Sequence, residues 1–223
     1  MAAGCVIGVC NAVAVGRPVF DAALLPWQQK ALAPMARALA ARGVRADHLS
    51  LLGFGLGALC LPALAVQAQG LALLFLALNR LLDGLDGAVA RLAGPTDRGA
   101  FLDIALDFLF YALFPLGFAL ADPAANALPA AILITAFVGT GSSFLAFASI
   151  AARRQMTARA FPRKGLYYLG GLTEGAETLA VFVAMALWPH AFAGLALGFA
   201  AACLLTTALR WRQGWQAFAD PAD

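Results

Sequence analysis

Three long stretches of this chain contain no Asp, Glu, Lys or Arg. They cover residues 48–79, 123–152 and 178–209. A spanning helix needs about 20 apolar residues to cross the hydrocarbon core of a bilayer. The whole chain is 62% hydrophobic and 12% charged, whereas ordinary soluble domains are roughly 25% charged. A water-soluble globule is therefore excluded, and the sequence predicts an all-α integral membrane protein.

Two of these stretches are too long for one crossing. Residues 48–79 and 178–209 each form a run of 32 residues, which is about 48 Å of helix against a core about 30 Å thick. Breaks are expected at 66–70, at 122–123 and at 188–190, and in the last of these Pro189 and Trp188 favour a helix end at the interface. We therefore expect a bundle of six transmembrane helices, roughly over 48–66, 70–92, 98–121, 127–150, 168–188 and 190–209.

Basic residues predict the orientation of this bundle. If the spans alternate, 14 of the 15 Arg and Lys residues lie on one side of the membrane, and the fifteenth, Arg80, lies within the second span. The turns near 66–70, 121–127 and 188–190 contain none. The positive-inside rule places the basic side in the cytoplasm. Both termini are thus predicted to be cytoplasmic, in a membrane of the bacterial inner type.

The chain before the first span is divided into two segments. The first sixteen residues are apolar but too short to span, and we assign no structure to residues 1–20. Residues 21–45 are predicted to form an amphipathic helix on the membrane surface, because apolar residues recur at helical spacing while Lys30 and Arg37 take another face. The apolar residues of that face are Leu25, Leu32, Met35 and Leu39.

Gly-x-x-x-Gly pairs occur in the first and the last predicted spans. One is Gly53 with Gly57, and the other is Gly194 with Gly198. Such spacing permits close approach of two helices, and we interpret both pairs as packing features.

Four aspartates lie in or beside the membrane within 25 residues: Asp83, Asp86, Asp103 and Asp107. A charge at the centre of a spanning helix costs about 2.5–3.5 kcal/mol on insertion scales. Residues three or four apart share a helix face, so we expect the four carboxylates to converge in a pocket that faces the cytoplasm. They cannot all stay ionised without a cation, and their hard oxygen atoms favour Mg²⁺, Mn²⁺ or Ca²⁺ over zinc.

The aspartates belong to a longer pattern. Residues 83–107 contain D-x-x-D-G-x-x-A-R, a gap of seven residues, and G-x-x-x-D-x-x-x-D. This pattern resembles the signature of the CDP-alcohol phosphatidyltransferases, and all eight fixed positions match. A weaker match is the segment from Ala46 to Ser50, where Ala46 and Asp47 replace the Pro and Asn of the P-N-x-x-T found in many members. The resemblance implies a six-span catalytic domain over 46–210 and a cytoplasmic tail over 211–223.

The same resemblance implies a reaction of phospholipid biosynthesis. A phosphatidyl group would move from a CDP-linked lipid, such as CDP-diacylglycerol, to an alcohol, and CMP would leave. It implies two divalent ions, Mg²⁺ or Mn²⁺, held by Asp83, Asp86 and Asp103, with Asp107 as a further ligand and as general base. Small residues and one arginine would border the CMP moiety: Gly87, Ala90, Arg91 and Gly99. The family is typically homodimeric.

The acceptor is not identified by the sequence. A basic cluster follows the fourth span and consists of Arg153, Arg154, Arg159, Arg163 and Lys164. It either binds a phosphorylated alcohol, for which Lys164 and Arg153 are candidates, or it only fixes topology. Glu174 and Glu177 either bind acceptor hydroxyls or pair with this cluster. Glycerol phosphate, inositol, inositol phosphate and serine all remain possible acceptors.

Two other functions are alternatives. An aspartate-rich prenyltransferase also binds a diphosphate, but it lacks the G-x-x-A-R continuation. A transporter that uses buried acids would distribute them through the membrane, whereas here they cluster near one surface. The basic residues indicate topology, so no nucleic-acid partner is expected.

Overall fold

The computed structural model describes residues 21–154, 173 and 175–219, with side chains from Lys30 onward. These parts of the chain form α-helices and contain no strand. Lys164, Glu174, the 1–20 segment and most of the predicted basic loop lie outside the described residues. The helices are α1 (Asp21–Ala41), α2 (Ala46–Ala58), α3 (Cys60–Ala65), α4 (Gln69–Ala93), α5 (Asp97–Ala121), α6 (Pro123–Arg153), α7 (Gly175–Leu187) and α8 (Phe192–Ala217).

The helices end where the sequence predicts breaks. The chain turns between α3 and α4, where Gln67 has a φ of 59°. Asp122 separates α5 from α6, and its side chain accepts a hydrogen bond from the Ala125 backbone N–H at 3.1 Å, which is the usual role of Asp at a helix start. Trp188 and a 3-10 turn at Pro189–Ala191 separate α7 from α8. These turns bring consecutive helices side by side.

Within the described residues, four helical segments are long and apolar enough to cross a membrane. They are Ala46–Ala65, Asp97–Ala121, Pro123–Arg153 and Pro189–Ala217. Helix α4 has sufficient length, but it contains charged residues in its second half. Helix α7 is apolar, with 13 described residues. The six-span count therefore stays a prediction, while an all-helical protein with several membrane-spanning helices is confirmed.

Large apolar side chains cover the outside of the bundle. Most of these exposed residues are leucines, and many of them lie on the candidate spans, where a lipid environment requires an apolar surface. They include Leu51, Leu52, Leu109, Leu116, Val138, Leu204 and Leu205.

Stacked phenylalanines form the centre of the bundle. The rings of Phe114 and Phe182 stack with centroids 4.2 Å apart, and those of Phe118 and Phe192 stack at 4.4 Å. Phe110, also buried, packs edge-on against Phe182. This aromatic core joins α5, α7 and α8, so the side chains that precede Phe110 on α5 are presented at one end of a rigid scaffold.

Helix α1 packs on α4. Ala36 is buried against a cluster that contains Leu85, Ala88 and Val89. Leu32 and Leu39 from the predicted apolar face join this cluster, whereas Met35 is exposed. The helix at 21–41 is thus present, and its position on the membrane surface stays a prediction.

The two Gly-x-x-x-Gly pairs differ in their surroundings. A Cβ on Gly53 would lie 3.1 Å from the Cβ of Leu82, and a Cβ on Gly57 would lie 2.8 Å from Nδ2 of Asn79. This pair therefore allows α2 to approach α4 closely. Gly194 and Gly198 have nothing within 4 Å of the corresponding positions, so the second pair makes no close helix contact within the described chain.

Candidate functional site

Three aspartates from two neighbouring helices meet at one point. One carboxylate oxygen from each of Asp83, Asp103 and Asp107 lies within 4.8 Å of the others. Asp103 and Asp107 are four residues apart on α5 and therefore share a face. The turn between Ala93 and Asp97 is short, and α2 packs against both α4 and α5, so Asp83 of α4 faces that pair. The sequence pattern had predicted this convergence from helix spacing.

The fourth aspartate of the motif has a different environment. Asp86 is buried, and its Oδ2 accepts a hydrogen bond from the Ser50 hydroxyl of α2 at 2.6 Å. It lines the same cavity as the other three aspartates, although its carboxylate is not part of their close group. Ser50 therefore positions Asp86, and it is a site residue that the spacing of the acids did not reveal.

An arginine lies directly beside the aspartate cluster. Arg80 Nη2 donates a hydrogen bond to Asp107 Oδ1 at 3.0 Å, and Arg80 Nη1 lies 3.6 Å from Asp83 Oδ2. The guanidinium also lies 5.2 Å from the centroid of the Phe110 ring, within the range of a cation–π contact. The sequence placed Arg80 in the second span but assigned it no role. A charge inside a span is by itself a functional signal.

Asn79 holds this arginine in place. Its Oδ1 accepts a hydrogen bond from Arg80 Nε at 2.8 Å, and its Nδ2 donates to the Gly53 carbonyl of α2 at 2.9 Å. Asn79 is buried, so both of its polar groups are satisfied where water does not reach them. The pair Asn79–Arg80 thus connects α2, α4 and α5 at the floor of the site.

A second charged network lies at the start of α2. Asp47 is buried, and its Oδ2 accepts a hydrogen bond from Arg45 at 2.9 Å and another from Arg98. A Cβ on Gly99 would lie 3.5 Å from Asp47 Oδ1. Asp47 therefore fixes the beginning of α5 against α2. In the sequence, Asp47 is visible only as a departure from the P-N-x-x-T motif, because its contact with Arg98 spans 51 residues, which no local pattern reveals.

The small residues of the motif line the approach between α4 and α5. A Cβ on Gly87 would lie 3.3 Å from Nη1 of Arg91, so the arginine head lies over this glycine. Gly99 donates its backbone N–H to the Thr96 hydroxyl, which caps α5. Ala90 is half-buried and Arg91 is exposed. These positions leave an open surface beside the aspartates.

The described acceptor candidates, Arg153 and Glu177, do not line the aspartate cavity. Arg153 is exposed at the end of α6, and Glu177 lies in the first turn of α7. The residues that line the aspartate cavity come from α2, α4 and α5 among the parts of the chain described here. Thr173, four residues before Glu177, donates a hydrogen bond from its hydroxyl to the hydroxyl of Thr206 at 3.2 Å. The roles of Arg153 and Glu177 stay predictions.

The charge of the cavity suits divalent cations. Its lining contains four aspartates and one arginine, so the fully ionised set carries a formal charge of −3. The cavity volume is about 20 Å³, and a single water molecule needs roughly 10–15 Å³ by the same measure. Carboxylate oxygens at these separations are ligands that Mg²⁺ and Mn²⁺ accept. The donor set therefore fits hard metal ions.

A comparison with protein families identifies the chain. The family model of the CDP-alcohol phosphatidyltransferases matches residues 44–210. The chain belongs to this family. It is therefore an enzyme of the CDP-alcohol phosphatidyltransferase class that acts in phospholipid biosynthesis, which the motif had predicted.

Individual relatives agree with this family assignment. Inner membrane protein YnjF of Escherichia coli K12 is 50% identical over 197 residues, which cover 88% of this chain and 96% of YnjF. Archaetidylinositol phosphate synthase of Pyrococcus horikoshii is 35% identical over 96 residues, or 43% of this chain and 51% of that protein. The spanning helices and the similarity to YnjF together confirm an integral membrane protein.

A solved structure has the same arrangement of helices. The crystal structure of Mycobacterium tuberculosis phosphatidylinositol phosphate synthase (PgsA1) with CDP-DAG bound superposes with a TM-score of 0.60 at 25% identity. The match covers 82% of this chain and 93% of the mycobacterial chain. The helical fold of this chain is thus similar to that of a solved phosphatidylinositol phosphate synthase.

Proposed function

We propose that this chain transfers a phosphatidyl, or similarly substituted phosphate, group from a CDP-linked lipid to the hydroxyl of an alcohol and releases CMP. The observation that carries this proposal is the meeting of Asp83, Asp103 and Asp107 within 4.8 Å at the family motif. The structural neighbour with CDP-DAG bound supports CDP-diacylglycerol as the donor. The acceptor is a small alcohol or a phosphorylated alcohol.

Two divalent ions, Mg²⁺ or Mn²⁺, are the proposed cofactors, with Asp83, Asp86, Asp103 and Asp107 as their ligands. When bound, such ions neutralise the diphosphate and stabilise the attacking and leaving oxygens of an in-line displacement. The formal charge of −3 in the cavity supports this requirement, because a diphosphate cannot approach it without cations. Ser50 would hold Asp86 in the orientation that ligation needs.

Asp107 is the proposed general base. It would take the proton of the acceptor hydroxyl while the oxygen forms a bond to the phosphorus that carries the lipid. The bond from that phosphorus to CMP breaks at the same centre, and CMP leaves with the bridging oxygen. A positioned base contributes about 10²–10⁴-fold to such a rate. Arg80 would orient Asp107 through the hydrogen bond to Oδ1.

The CMP moiety is proposed to lie over the small residues between α4 and α5. Gly87, Ala90 and Gly99 offer little side chain, and Arg91 would contact a phosphate or the ribose. The guanidinium over Gly87 supports this position for Arg91. Lys164, Arg153, Glu174 and Glu177 are the proposed acceptor contacts.

The proposed orientation places this site and both termini in the cytoplasm, with six spans and a homodimeric assembly in an inner membrane. The distribution of Arg and Lys supports the orientation. CDP-linked lipids would then reach the site from the inner leaflet, and a water-soluble acceptor would reach it from the cytoplasm.

The experiment that tests this function is a CMP-release assay. Purified protein is incubated with radiolabelled CDP-diacylglycerol, Mn²⁺ or Mg²⁺, and glycerol phosphate, inositol, inositol phosphate or serine in separate reactions. We expect one acceptor to give CMP and a labelled phospholipid in equal amounts. Chelation with EDTA should abolish release, and added Mn²⁺ or Mg²⁺ should restore it. Release that survives EDTA would contradict the metal mechanism, and absence of release with every acceptor would contradict the donor or the reaction.

A further inference from the structure

Arg80 is a cation placed among apolar residues of α4. Its side chain is only 21% exposed, and the ten residues before it contain no charge. A cation within a spanning helix is costly unless it is paired. Its partners are therefore informative about why this position is an arginine.

The partners of Arg80 are two of the three aspartates that meet in the site. One guanidinium nitrogen lies 3.0 Å from Asp107 of α5 and the other lies 3.6 Å from Asp83 of α4. The planar fork of an arginine suits two carboxylates at once, which a lysine ammonium does not match. Arg80 thus contacts the carboxylates that the proposed divalent ions would share.

The surrounding residues restrict the movement of this guanidinium. Asn79 accepts the Nε–H at 2.8 Å and is itself anchored to the Gly53 carbonyl. A Cβ on Gly57 would lie 2.8 Å from the Asn79 amide and 3.0 Å from the Phe110 ring. Both glycines thus make room for the residues that hold Arg80. The position of the Arg80 guanidinium is therefore determined by its contacts with these neighbouring residues.

We propose that Arg80 is a positioning residue that balances the charge of Asp83 and Asp107 before a metal ion binds and lowers the affinity of the site for divalent cations. This inference rests on the proposed function, since it assumes that divalent ions bind these aspartates. Its positive charge holds the two carboxylates at their places and repels an incoming cation. The site would consequently bind Mn²⁺ more weakly than the same aspartates would without Arg80.

The test measures metal binding without any lipid substrate. Mn²⁺ binding to purified protein is followed by electron paramagnetic resonance of the free ion, and unfolding temperatures are recorded in EDTA and in Mn²⁺. For Arg80→Gln, we expect Mn²⁺ affinity to rise on the order of tenfold, the effect of about one unit charge near a partly buried site. In EDTA, the unfolding temperature of Arg80→Gln should be lower than that of wild type by about 2–4 °C or more. Addition of Mn²⁺ should raise the unfolding temperature of the variant by more than it raises that of wild type.

Two further variants distinguish charge from structure. Arg80→Lys keeps the positive charge, so its Mn²⁺ affinity should stay within about threefold of wild type, which is under 1 kcal/mol. Arg37→Gln removes one positive charge from an exposed position on α1 and should change neither measurement. Equal Mn²⁺ affinity of wild type and Arg80→Gln would overturn the inference, as would tighter binding by Arg80→Lys if Arg80→Gln does not fold. CMP release by the wild type, measured separately, decides the proposed function independently of these results.

Discussion

At the scale of single residues, Asp107 has a distinct combination of neighbours. It lies in the group of three carboxylates and also accepts a hydrogen bond from Arg80. Asp107→Asn keeps the size of the side chain and removes its ability to accept a proton. We expect CMP release to fall about 10²–10⁴-fold, the contribution of a positioned base, while binding of the CDP-linked donor changes little because Asp83, Asp86 and Asp103 remain.

Turnover and donor binding are measured on the same preparation of the Asp107→Asn variant. Asp122→Asn is the matched control, since Asn is as good a helix cap as Asp and this position lies at the opposite end of α5 from the site. The control should keep wild-type turnover. Undiminished CMP release by Asp107→Asn would remove the proposed base.

Local spacing predicted some of these residues and could not predict others. Asp103 and Asp107 lie on one helix face for a reason that the sequence alone supplies. The partners of Asp86 and Asp47 come from other helices, at separations of 36 residues for Ser50 and 51 residues for Arg98. Such contacts depend on how the helices pack, so the sequence identified the acids without the side chains that orient them.

At the scale of helices, the approach of α2 to α4 determines where Arg80 and Asn79 lie. Gly57→Ala would place a Cβ 2.8 Å from the Asn79 amide. We expect this overpacking to cost about 1–3 kcal/mol, to lower the unfolding temperature in detergent, and to reduce CMP release because Asn79 holds Arg80.

Gly55→Ala is the control for the glycine substitution. Gly55 is two residues away on the same helix and has nothing within 4 Å of a Cβ position. Alanine there should stabilise the helix by about 0.5–1 kcal/mol and leave activity unchanged. Equal unfolding temperatures for the two variants would show that α2 and α4 are not in the contact described.

Helix ends were easier to predict than helix contacts. Pro189, Asp122 and the polar residues around Gln67 are local signals, and each lies in a turn of the structure. The two Gly-x-x-x-Gly pairs were indistinguishable by sequence, yet only Gly53 and Gly57 meet another described helix at this distance. Contact between helices depends on the rotation of each helix, and spacing within one helix does not determine that rotation.

At the scale of the whole molecule, the basic residues are concentrated at one end of an apolar bundle. Exposed leucines cover the candidate spans, and the turns around Val66, Ala124 and His190 contain no Lys or Arg. The four aspartates of the motif lie on the other halves of α4 and α5, which also contain Arg91 and Arg98. This asymmetry is a property of composition along the chain, which is why orientation can be predicted without coordinates. Helix α4 contains Arg80, Asp83 and Asp86, so its crossing is predicted from the distribution of Arg and Lys and not from its hydropathy.

Cysteine labelling tests both the orientation and the crossing of α4. Cys60 and Cys203 are buried, so single exposed cysteines can be introduced after Cys5 and Cys10 are changed to serine. Val66→Cys and Ala124→Cys lie in the turns without basic residues, and Ala93→Cys lies at the end of α4. In spheroplasts of an expressing bacterial host, we expect a membrane-impermeant maleimide to label the first two variants at once. Ala93→Cys should react only after the membrane is permeabilised. Labelling of Val66→Cys and Ala93→Cys from the same side would mean that α4 does not cross the membrane, and it would reduce the six predicted spans.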